Sequence, residues 1–415
     1  MSSVFSVSSV VVLLAIAVHP DPAAAQTITQ RGFVEGRALF FPQDAPNDPT
    51  RAVADLLARE EAFLKPAAWI QFAAGIEFRA NSHDQVEPSW RLDFGDRTLA
   101  RPRLSVRRLS ATMTRSALAI DLGRQFIRWG KTDIVTPTDW LAPRDFLNVF
   151  ENDFLPVTGV RASVRAGAET FEAAWTPRLT PSRIPLLNQR WTAVPPAAAQ
   201  LSIVDLGSLL PDGSQFGVRW SHVGRAFESA VSFFDGFNHL PNVDVVLTPI
   251  PERIGMRRMY PAMRSFGVDA AAPLPWATIK AEAAYSVSPM GQSDDYVLYV
   301  VQFERQTGEW AFVGGYAGDI VTRRRAALPF APDRGVARAL VGRASYTVDA
   351  NRSVAFECAV RQTGDGAYAK GEYSQAYAAN WRATVSGTLI RGEPMDFIGQ
   401  YRRNSNISVS LRYSF

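Results

Sequence analysis

Apolar and polar residues alternate with a period of two in many segments of this chain. In the last segment, Ile407, Val409, Leu411 and Tyr413 alternate with serine and arginine residues, and the sequence ends at Phe415. Successive side chains of a β-strand point to opposite faces, so this segment predicts a strand with one apolar and one polar face. The same alternation recurs upstream, in the segments 70–79, 160–165, 215–220, 279–286, 297–303, 354–360 and 381–389.

The connections between these segments are alternately short and long along the chain. The short ones lie near 114–116, 167–169, 223–225, 272–275, 306–308, 349–351 and 379–380, and the long ones near 80–98, 129–156, 178–213, 236–263, 288–294, 320–336, 363–370 and 392–404. A β-sandwich would not sort its connections by length in rotation, whereas transmembrane barrels do. The sequence therefore predicts an all-β fold, an antiparallel up-and-down transmembrane barrel with short periplasmic turns and long external loops.

The strand count follows from working backwards from Phe415. It gives about sixteen strands, an even number typical of single-chain bacterial barrels, and places the barrel in residues 66–415. Residues 26–65 then form an N-terminal arm, in the periplasm or in the barrel mouth, in which Pro49–Lys65 predicts an amphipathic helix. A barrel of about eighteen strands that uses Arg31–Phe41 and one further strand is the alternative.

Residues 1–25 predict a signal peptide and hence export. Val10–Val18 is an apolar run without a charge, shorter than the roughly 20 residues of a membrane-spanning helix. Ala23, Ala24 and Ala25 then provide a cleavage site before Gln26. No Lys or Arg precedes the apolar run, which leaves the true start of the protein open.

Composition excludes several classes of protein. A hydrophobic content of 47% with a mean hydropathy of −0.06 does not fit a bundle of membrane helices. The single cysteine, Cys358, excludes disulfides within the chain and a cysteine-based metal cage. The net charge of +4 is small and evenly spread, so we expect no nucleic-acid partner. No motif for a metal or a cofactor is present, and none is expected.

Enzyme chemistry finds little support in the sequence. Lipid modification at the membrane rim, a distant alternative, would need a histidine paired with a serine. His222 falls near a short turn, on the wrong side of the membrane. His83 and His239 fall in long loops without a recognisable serine or aspartate partner, so we interpret all three as ordinary surface histidines and expect no catalytic residues.

The densest group of charged residues lies in the segment 123–146, GRQFIRWGKTDIVTPTDWLAPRDF. Its charged residues include Arg124, Lys131, Asp133, Asp139, Arg144 and Asp145. The GRQ-x-x-x-WGK core, followed by PTD and PRD, resembles a porin-like family of proteobacterial outer-membrane barrel proteins without a characterised function. The resemblance covers residues 100–165 best, and it implies the fold and an outer-membrane location but no substrate.

Residues 129–156 form the candidate constriction of the barrel. A loop of this length is functional or disordered rather than a plain connector, and its prolines and tryptophans argue against disorder. We expect it to enter or cap the pore and to place its charges opposite Arg124, Arg161 and Arg165, because charges on two sides of a narrow passage can orient a solute. The alternative is a loop that only ties itself to the barrel rim.

The polar faces of the strands predict the lining of the lumen. The charged residues on these faces are Asp121, Arg161, Arg165, Arg219, Asp269, Lys280, Glu282, Arg343, Glu357, Arg382 and Arg412. Arg101, Arg103, Arg107, Arg108 and Arg115 add a positive wall that weakly favours anionic solutes. The predicted function is passive or facilitated passage of small hydrophilic solutes. Wall-to-wall ion pairs, and a structural or assembly protein with a filled lumen, are the alternatives.

The predicted partners follow from the same features. Phe415, Tyr413 and Leu411 resemble the closing strand of bacterial outer-membrane barrels, which implies recognition by the barrel-assembly machinery. Outer-membrane lipid would surround the barrel, and the arginines 323–325 would suit the phosphates of lipopolysaccharide. The oligomeric state is left open.

Overall fold

The computed structural model describes residues 27–193, 202–247, 253–325, 334 and 336–415, and these residues form a β-barrel. The first strands are β1 (Thr27–Phe40), β2 (Ala52–Ala67), β3 (Ile70–Asn81), β4 (Leu92–Asp93), β5 (Leu104–Arg115), β6 (Leu118–Gln125), β7 (Arg144–Asn148), β8 (Glu151–Phe154), β9 (Val157–Ala166), β10 (Glu169–Thr176), β11 (Ser202–Leu209) and β12 (Gln215–Val223). The others are β13 (Glu228–Phe237), β14 (Asn242–Leu247), β15 (Arg253–Met259), β16 (Ala262–Pro273), β17 (Thr278–Val287), β18 (Asp295–Thr307), β19 (Trp310–Arg323), β20 (Ala339–Thr347), β21 (Arg352–Arg361), β22 (Ala367–Tyr377), β23 (Trp381–Arg391) and β24 (Asn406–Ser414).

Eighteen of these strands close into an antiparallel barrel. The barrel closes where β1 pairs with β24, in a register that runs from Phe33 opposite Ser414 to Phe40 opposite Ile407. Gly32 and Phe415 exchange backbone hydrogen bonds of 2.9 and 3.0 Å at the end of this seam. The remaining strands lie in the connections: β7 pairs with β8, β11, β15 and β14 form a small sheet, and β4 lies parallel to β5.

The connections sort by length, as the sequence predicts. At one end of the barrel, here called the short-turn end, turns of two to four residues join the strands, for example 308–309 between β18 and β19. At the other, the long-loop end, the connections are 41–51, 82–103, 126–156, 177–214, 238–261, 288–294, 324–338, 362–366 and 392–405. The last of these contains a 3-10 helix, Gly399–Asn404.

The structure corrects the predicted strand count and the N-terminal arm. The barrel has eighteen strands, the alternative count, rather than sixteen. Residues 27–67 are not an arm with a helix but the wall strands β1 and β2, paired from Thr27 to Phe40. Val53 packs with Leu39 and Phe41 in a buried cluster inside the barrel, so β2 carries apolar residues on both faces. The alternation of apolar and polar residues is therefore lost in β2, and the spacing of its apolar residues happens to resemble that of an amphipathic helix. The predicted signal peptide, 1–25, lies outside the described residues.

The outward face of the wall is apolar, as the alternation predicts. On β24, Ile407, Val409 and Leu411 are exposed, whereas Ser408 between them is buried. Aromatic residues ring the short-turn end, where the rings of Trp381 and Tyr413 lie 4.9 Å apart. An apolar belt bounded by aromatic rings is typical of a barrel that spans a membrane. No helix among the described residues is long and apolar enough to cross a membrane.

Candidate functional site: a loop across the lumen

The loop 126–156 folds into the barrel instead of standing above it. Two of its residues, Trp129 and Trp140, are buried against the inner wall, in a cluster with Phe234 of β13, Met263 of β16 and Ala284 of β17. The rings of Trp140 and Phe234 stack with their centroids 5.8 Å apart. These contacts exclude water from the first half of the loop and fix it to one side of the lumen. The prediction that this segment enters the pore agrees with its position.

One carboxylate of the wall, that of Glu282 on β17, holds this half of the loop in place. It is 2% exposed and accepts hydrogen bonds from the backbone N–H groups of Lys131 (2.8 Å), Thr132 (3.1 Å) and Thr138 (2.8 Å). The hydroxyls of the two threonines also donate to it, at 3.0 and 2.8 Å. Hydrogen bonds to an ionised acceptor are stronger than neutral ones. The segment 131–138 is therefore tied at both ends to a single side chain.

Charged residues of the same segment pair with other wall residues. The Lys131 ammonium lies 2.5 Å from Glu228 and 3.8 Å from Asp269. Asp133 accepts a hydrogen bond of 2.8 Å from the Gln302 amide and lies 3.5 Å from the Lys280 ammonium. Burial alone would raise the pKa of Asp133, but hydrogen bonds from these wall residues keep it below its ordinary value. Both loop charges are thus engaged with the wall.

Two of the predicted site residues stabilise the loop itself. Asp139 is buried and accepts hydrogen bonds from the backbone N–H groups of Trp129 (2.6 Å) and Gly130 (2.7 Å). The Arg144 guanidinium lies over the Phe154 ring, 4.4 Å from its centroid. Neither faces Arg124, Arg161 or Arg165, contrary to the prediction, because each is used in the turn geometry of the loop.

The second half of the loop reaches the opposite wall. Phe150, between β7 and β8, stacks on Tyr368 of β22 at 4.7 Å. Glu151 forms ion pairs with Arg37 of β1 (2.6 Å) and Lys370 of β22 (3.3 Å). Burial would raise the pKa of Glu151, but Arg37 above all keeps it below its ordinary value. The loop therefore spans the lumen from β17 to β1 and β22.

A pocket rich in arginine lies beside the loop. Asp145 of β7 binds the Arg101 guanidinium through two hydrogen bonds, of 2.8 and 3.0 Å, and lies 3.4 Å from Arg183. Although burial disfavours its charged form, these two cations hold the pKa of Asp145 well below its ordinary range. The charged residues that line the cavity here, called the arginine pocket, are Glu77, Arg79, Asp96, Arg101, Arg107, Asp145, Asp153 and Arg183.

Glu77 of β3 forms ion pairs with three arginines on the wall of this pocket. Its carboxylate lies 2.6 Å from Arg59, 2.5 Å from Arg79 and 3.6 Å from Arg107. The register of β3 and β5 shifts between Gly75 and Ile76, as in a β-bulge. A bulge re-aims side chains, and Arg107 and its neighbour Arg108 both pair with lumen carboxylates.

The charged residues that line the arginine pocket are balanced, with four arginines against four carboxylates. Two bordering arginines share these carboxylates, since Arg59 pairs with Glu77 and Arg124 with Asp96. Guanidinium groups are therefore concentrated in this part of the lumen, although each has a carboxylate near it.

The other predicted lumen residues form pairs along the wall rather than across the lumen. Arg219 of β12 pairs with Asp269 of β16 at 2.8 Å, and Arg161 pairs with Glu172 of the adjacent strand β10. Arg124 pairs with Asp96. Arg165 is exposed near the short-turn end. The expected pairing of loop charges with these arginines is therefore wrong, because nearer carboxylates of the wall and of loop 82–103 compete for them.

Two further predicted lining residues lie away from the loop. Arg343 is exposed on β20 and stands opposite Glu357 in the register with β21. Arg382 of β23 is also exposed and donates a hydrogen bond of 3.3 Å to Ser374. They belong to the lumen wall but not to the constriction.

Several residues of the site could not be singled out from the sequence. Arg59 was hidden because its segment predicts a helix. Arg183 and Asp96 lie in long loops without any periodicity, so nothing local assigns them to the lumen. Glu282 was assigned to the lumen face, but its role as the acceptor for loop N–H groups depends on contacts about 150 residues away in the chain.

The histidines of the loops have partners that the sequence did not reveal. His83 lies 2.9 Å from Asp48, and His239 Nδ1 lies 2.8 Å from the Ser182 hydroxyl. Ser182 is 2% exposed and also accepts the Arg144 backbone N–H, so the contact joins loops in a closed interior. His222 lies at the short-turn end beside Glu169, as predicted. Within the described ranges, no group of three potential ligand residues could hold a metal ion.

Comparison with known proteins supports the architecture. No protein-family model and no curated protein matches the sequence. Among solved structures, the chain is similar to a BenF-like porin from Pseudomonas fluorescens Pf-5, with a TM-score of 0.54, 9% identity, and coverage of 94% of this chain and 98% of that one. It is also similar to OccK5 (OpdH) of Pseudomonas aeruginosa (0.52, 10% identity, 93% and 97%) and OccAB4 of Acinetobacter baumannii (0.51, 10% identity, 95% and 100%). At such identities the shared feature is the fold.

Proposed function

We propose that this chain is an outer-membrane, porin-like channel for the passive or facilitated passage of small hydrophilic solutes, with a preference for anionic ones. The observation that carries the proposal is the loop 126–156, which crosses the lumen of an eighteen-stranded barrel and borders the arginine pocket. Barrels of about 16–18 strands are wide enough for an aqueous channel. A loop tied to two walls narrows such a channel without closing the barrel itself.

The preference for anions is proposed from the concentration of guanidinium groups. Four arginines line the pocket where the loop narrows the lumen and two more border it, and cationic groups in a constriction favour solutes of negative charge. The guanidinium groups of Arg79, Arg101 and Arg107 line the pocket. Such groups match the planar geometry of carboxylates and the oxygens of phosphates.

The orientation in the outer membrane is part of the proposal. Short turns face the periplasm and long loops face outwards in barrels of this class. This arrangement places Phe415 at the periplasmic end, where the barrel-assembly machinery would recognise it after removal of residues 1–25. The Arg323 side chain is 68% exposed at the external end, near the exposed Arg324, and both would contact lipopolysaccharide phosphates. Asp295 lies 3.9 Å from Arg323 and 2.8 Å from the less exposed Arg325.

A structural or assembly role with a closed lumen is the second candidate function. It is favoured by the apolar packing of the inserted loops, in which Phe150, Trp191 and Tyr401 pack together with Tyr368 of the wall. A lumen filled in this way would carry no solute.

Solute-dependent swelling of proteoliposomes separates the two candidates. The purified full-length protein is reconstituted, and swelling is followed with galactose and with galacturonate, which are similar in size and differ in charge. The proposed channel admits both and the acid faster. Equal rates would remove the anionic preference, and rates no higher than those of protein-free liposomes would favour the structural role.

A further inference from the structure

Arg258 of β15 is a buried cation, and two of its three guanidinium nitrogens have no hydrogen-bond partner in the described part of the chain. Its side chain is 1% exposed, and Nη1 donates a hydrogen bond of 2.6 Å to Asp205. Its Nε and Nη2 atoms are also buried, but they have no hydrogen-bond partner among the residues that the structure describes. Nearly all buried polar groups in proteins are hydrogen-bonded, so an orphaned pair of this kind calls for a bound ion, water or ligand.

The two free atoms form one edge of the guanidinium group. This edge presents two parallel N–H groups, which is the geometry that grips both oxygens of a carboxylate or two oxygens of a phosphate. The same chain uses this edge elsewhere, since Nε and Nη2 of Arg101 hold the two oxygens of Asp145 at 2.8 and 3.0 Å. In Arg258 the corresponding edge has no protein carboxylate against it.

Further polar side chains lie near Arg258. Ser208 pairs with Arg258 in the register of β11 and β15, and Tyr260 follows two residues later on the same face of the chain. Burial raises the pKa of Tyr260, whereas a hydrogen bond with the Ser208 side chain and the guanidinium groups of Arg258 and Arg97 lower it. These three residues therefore lie near the Tyr260 hydroxyl. The Nε atom of Arg97 is also buried without a partner in the described part of the chain.

A β-bulge builds this arrangement. The register of β11 and β15 shifts between Asp205 and Ser208, and Gly207 adopts a φ of 80°, which favours glycine. The Gly207 N–H donates to Asp205 at 2.8 Å. The bulge thus lies between Asp205, which binds one end of the Arg258 guanidinium, and Ser208, which is opposite Arg258 in the register.

We propose that Arg258, Arg97, Ser208 and Tyr260 form a binding site for an oxyanion, a carboxylate or a phosphate. Asp205 neutralises the Arg258 guanidinium, and the Arg97 guanidinium leaves one positive charge for the ligand. The site lies at the long-loop end, apart from the arginine pocket, although Arg97 directly follows its lining residue Asp96. The oxyanion comes either from a soluble acid or from a phosphate of lipopolysaccharide.

Isothermal titration calorimetry of the full-length protein in detergent tests the site. Acetate, inorganic phosphate and lipopolysaccharide are titrated separately into protein freed of lipopolysaccharide. Arg258→Lys keeps the charge but removes the two-pronged edge, and Arg97→Gln alters the site without touching β15. Each should weaken binding at the site by about tenfold or more, as expected for loss of charge-assisted hydrogen bonds. Arg264→Gln is the control, because Arg264 is exposed and pairs only at the surface with Asp235.

Each outcome decides the proposal. Weaker ligand binding by Arg258→Lys and Arg97→Gln, but not by Arg264→Gln, supports the site. Any heat of ligand binding to the lumen arginines is the same in the wild type and the three variants, so it does not affect the comparison. Tight binding of acetate or phosphate identifies a soluble acid as the source, and binding of lipopolysaccharide alone identifies the lipid. The same affinity in all variants, or no binding of any of the three ligands by the wild type, overturns the site. None of these results depends on whether the barrel conducts.

Discussion

The carboxylate of Glu282 accepts a hydrogen bond of 2.8 Å from the backbone N–H of Thr138, which lies 144 residues earlier in the chain. A wall residue thereby holds the segment 131–138 of a loop whose flanking parts are anchored by other contacts, such as the packing of Trp140 on Phe234. The same carboxylate also accepts N–H groups from the start of the segment, at Lys131 and Thr132. The position of this segment in the passage therefore depends on a contact between wall and loop that one substitution can remove.

Replacing Glu282 with alanine should release the segment 131–138. Three backbone N–H groups lose an ionised acceptor, and each such hydrogen bond contributes about 1.5–3 kcal/mol. Hydrogen–deuterium exchange of this segment, followed by mass spectrometry, should become at least about tenfold faster, since about 1.4 kcal/mol corresponds to a factor of ten. Glu282→Gln, which keeps one acceptor oxygen, should give an intermediate rate. Glu61→Ala removes a wall carboxylate of β2 that pairs with Arg31 and Arg108 rather than with the loop, and it serves as the control; an equal effect there would refute the anchoring role.

Removing a positive charge at the arginine pocket should change ion selectivity. Arg107 lines the pocket and is 3.6 Å from its nearest carboxylate, so it is loosely paired. Arg107→Gln removes one positive charge from the constriction, and the reversal potential across a salt gradient should move toward cation selectivity. Arg165→Gln removes the same charge near the short-turn end and should have a smaller effect. Identical shifts in both variants would mean that total charge, not the constriction, sets selectivity.

Asp145 should make the docking of the loop dependent on pH. Its folded-state pKa is depressed, whereas an unperturbed aspartate has a pKa of about 3.9. The stabilisation is therefore present in full above about pH 5 and is lost as the pH falls toward the folded-state pKa. Asp145→Asn leaves Arg101 and Arg183 without their counterion, which typically costs about 3–5 kcal/mol for a buried pair.

Thermal unfolding in detergent, measured by circular dichroism, tests this pH dependence. The midpoint of Asp145→Asn should lie below that of the wild type at pH 7 and at pH 5, and the gap should narrow at pH 3. Asp349→Asn breaks an exposed pair with Arg352 in a short turn and should leave the midpoint unchanged. A gap for Asp145→Asn that is as large at pH 3 as at pH 7 would show that the charge of Asp145 is not the cause.

Adjacent positions of β24 should respond in opposite ways to the same substitution. Val409 is 50% exposed on the outward face, whereas its neighbour Ser410 points inward. Val409→Arg places a charge in lipid and should cost about 2–4 kcal/mol near the membrane midplane. Ser410→Arg should be tolerated in the aqueous interior. Folding yield in lipid vesicles, read from heat-modifiable gel migration, distinguishes them, and equal yields would argue against a lipid-facing Val409.

The sequence was sufficient for the wall of the barrel wherever one face of a strand meets an apolar medium and the other meets water. The serines of β24 are an example, since each falls between two outward apolar residues. The rule fails in β2, because Val53 packs against Leu39 and Phe41 inside the barrel and the lumen face is no longer polar. Because β2 does not show the alternation, β1 and β2 are missing from the predicted count of sixteen strands.

The site was only partly predictable for a different reason. The tryptophans and prolines of the loop indicate order, and the prediction that it enters the pore follows from them. The partners of its charges are set by the three-dimensional path of the loop, as when Asp145 meets Arg183 of another long loop. No local pattern encodes such a meeting.

Single-channel recording in planar lipid bilayers tests the central claim most directly. If the protein is a channel narrowed by a loop anchored on Glu282, the wild type produces discrete current steps and Glu282→Ala produces larger ones, while Glu61→Ala leaves the step size unchanged. Correctly folded wild type and Glu282→Ala that both produce no current steps would contradict the account and leave a closed, structural barrel.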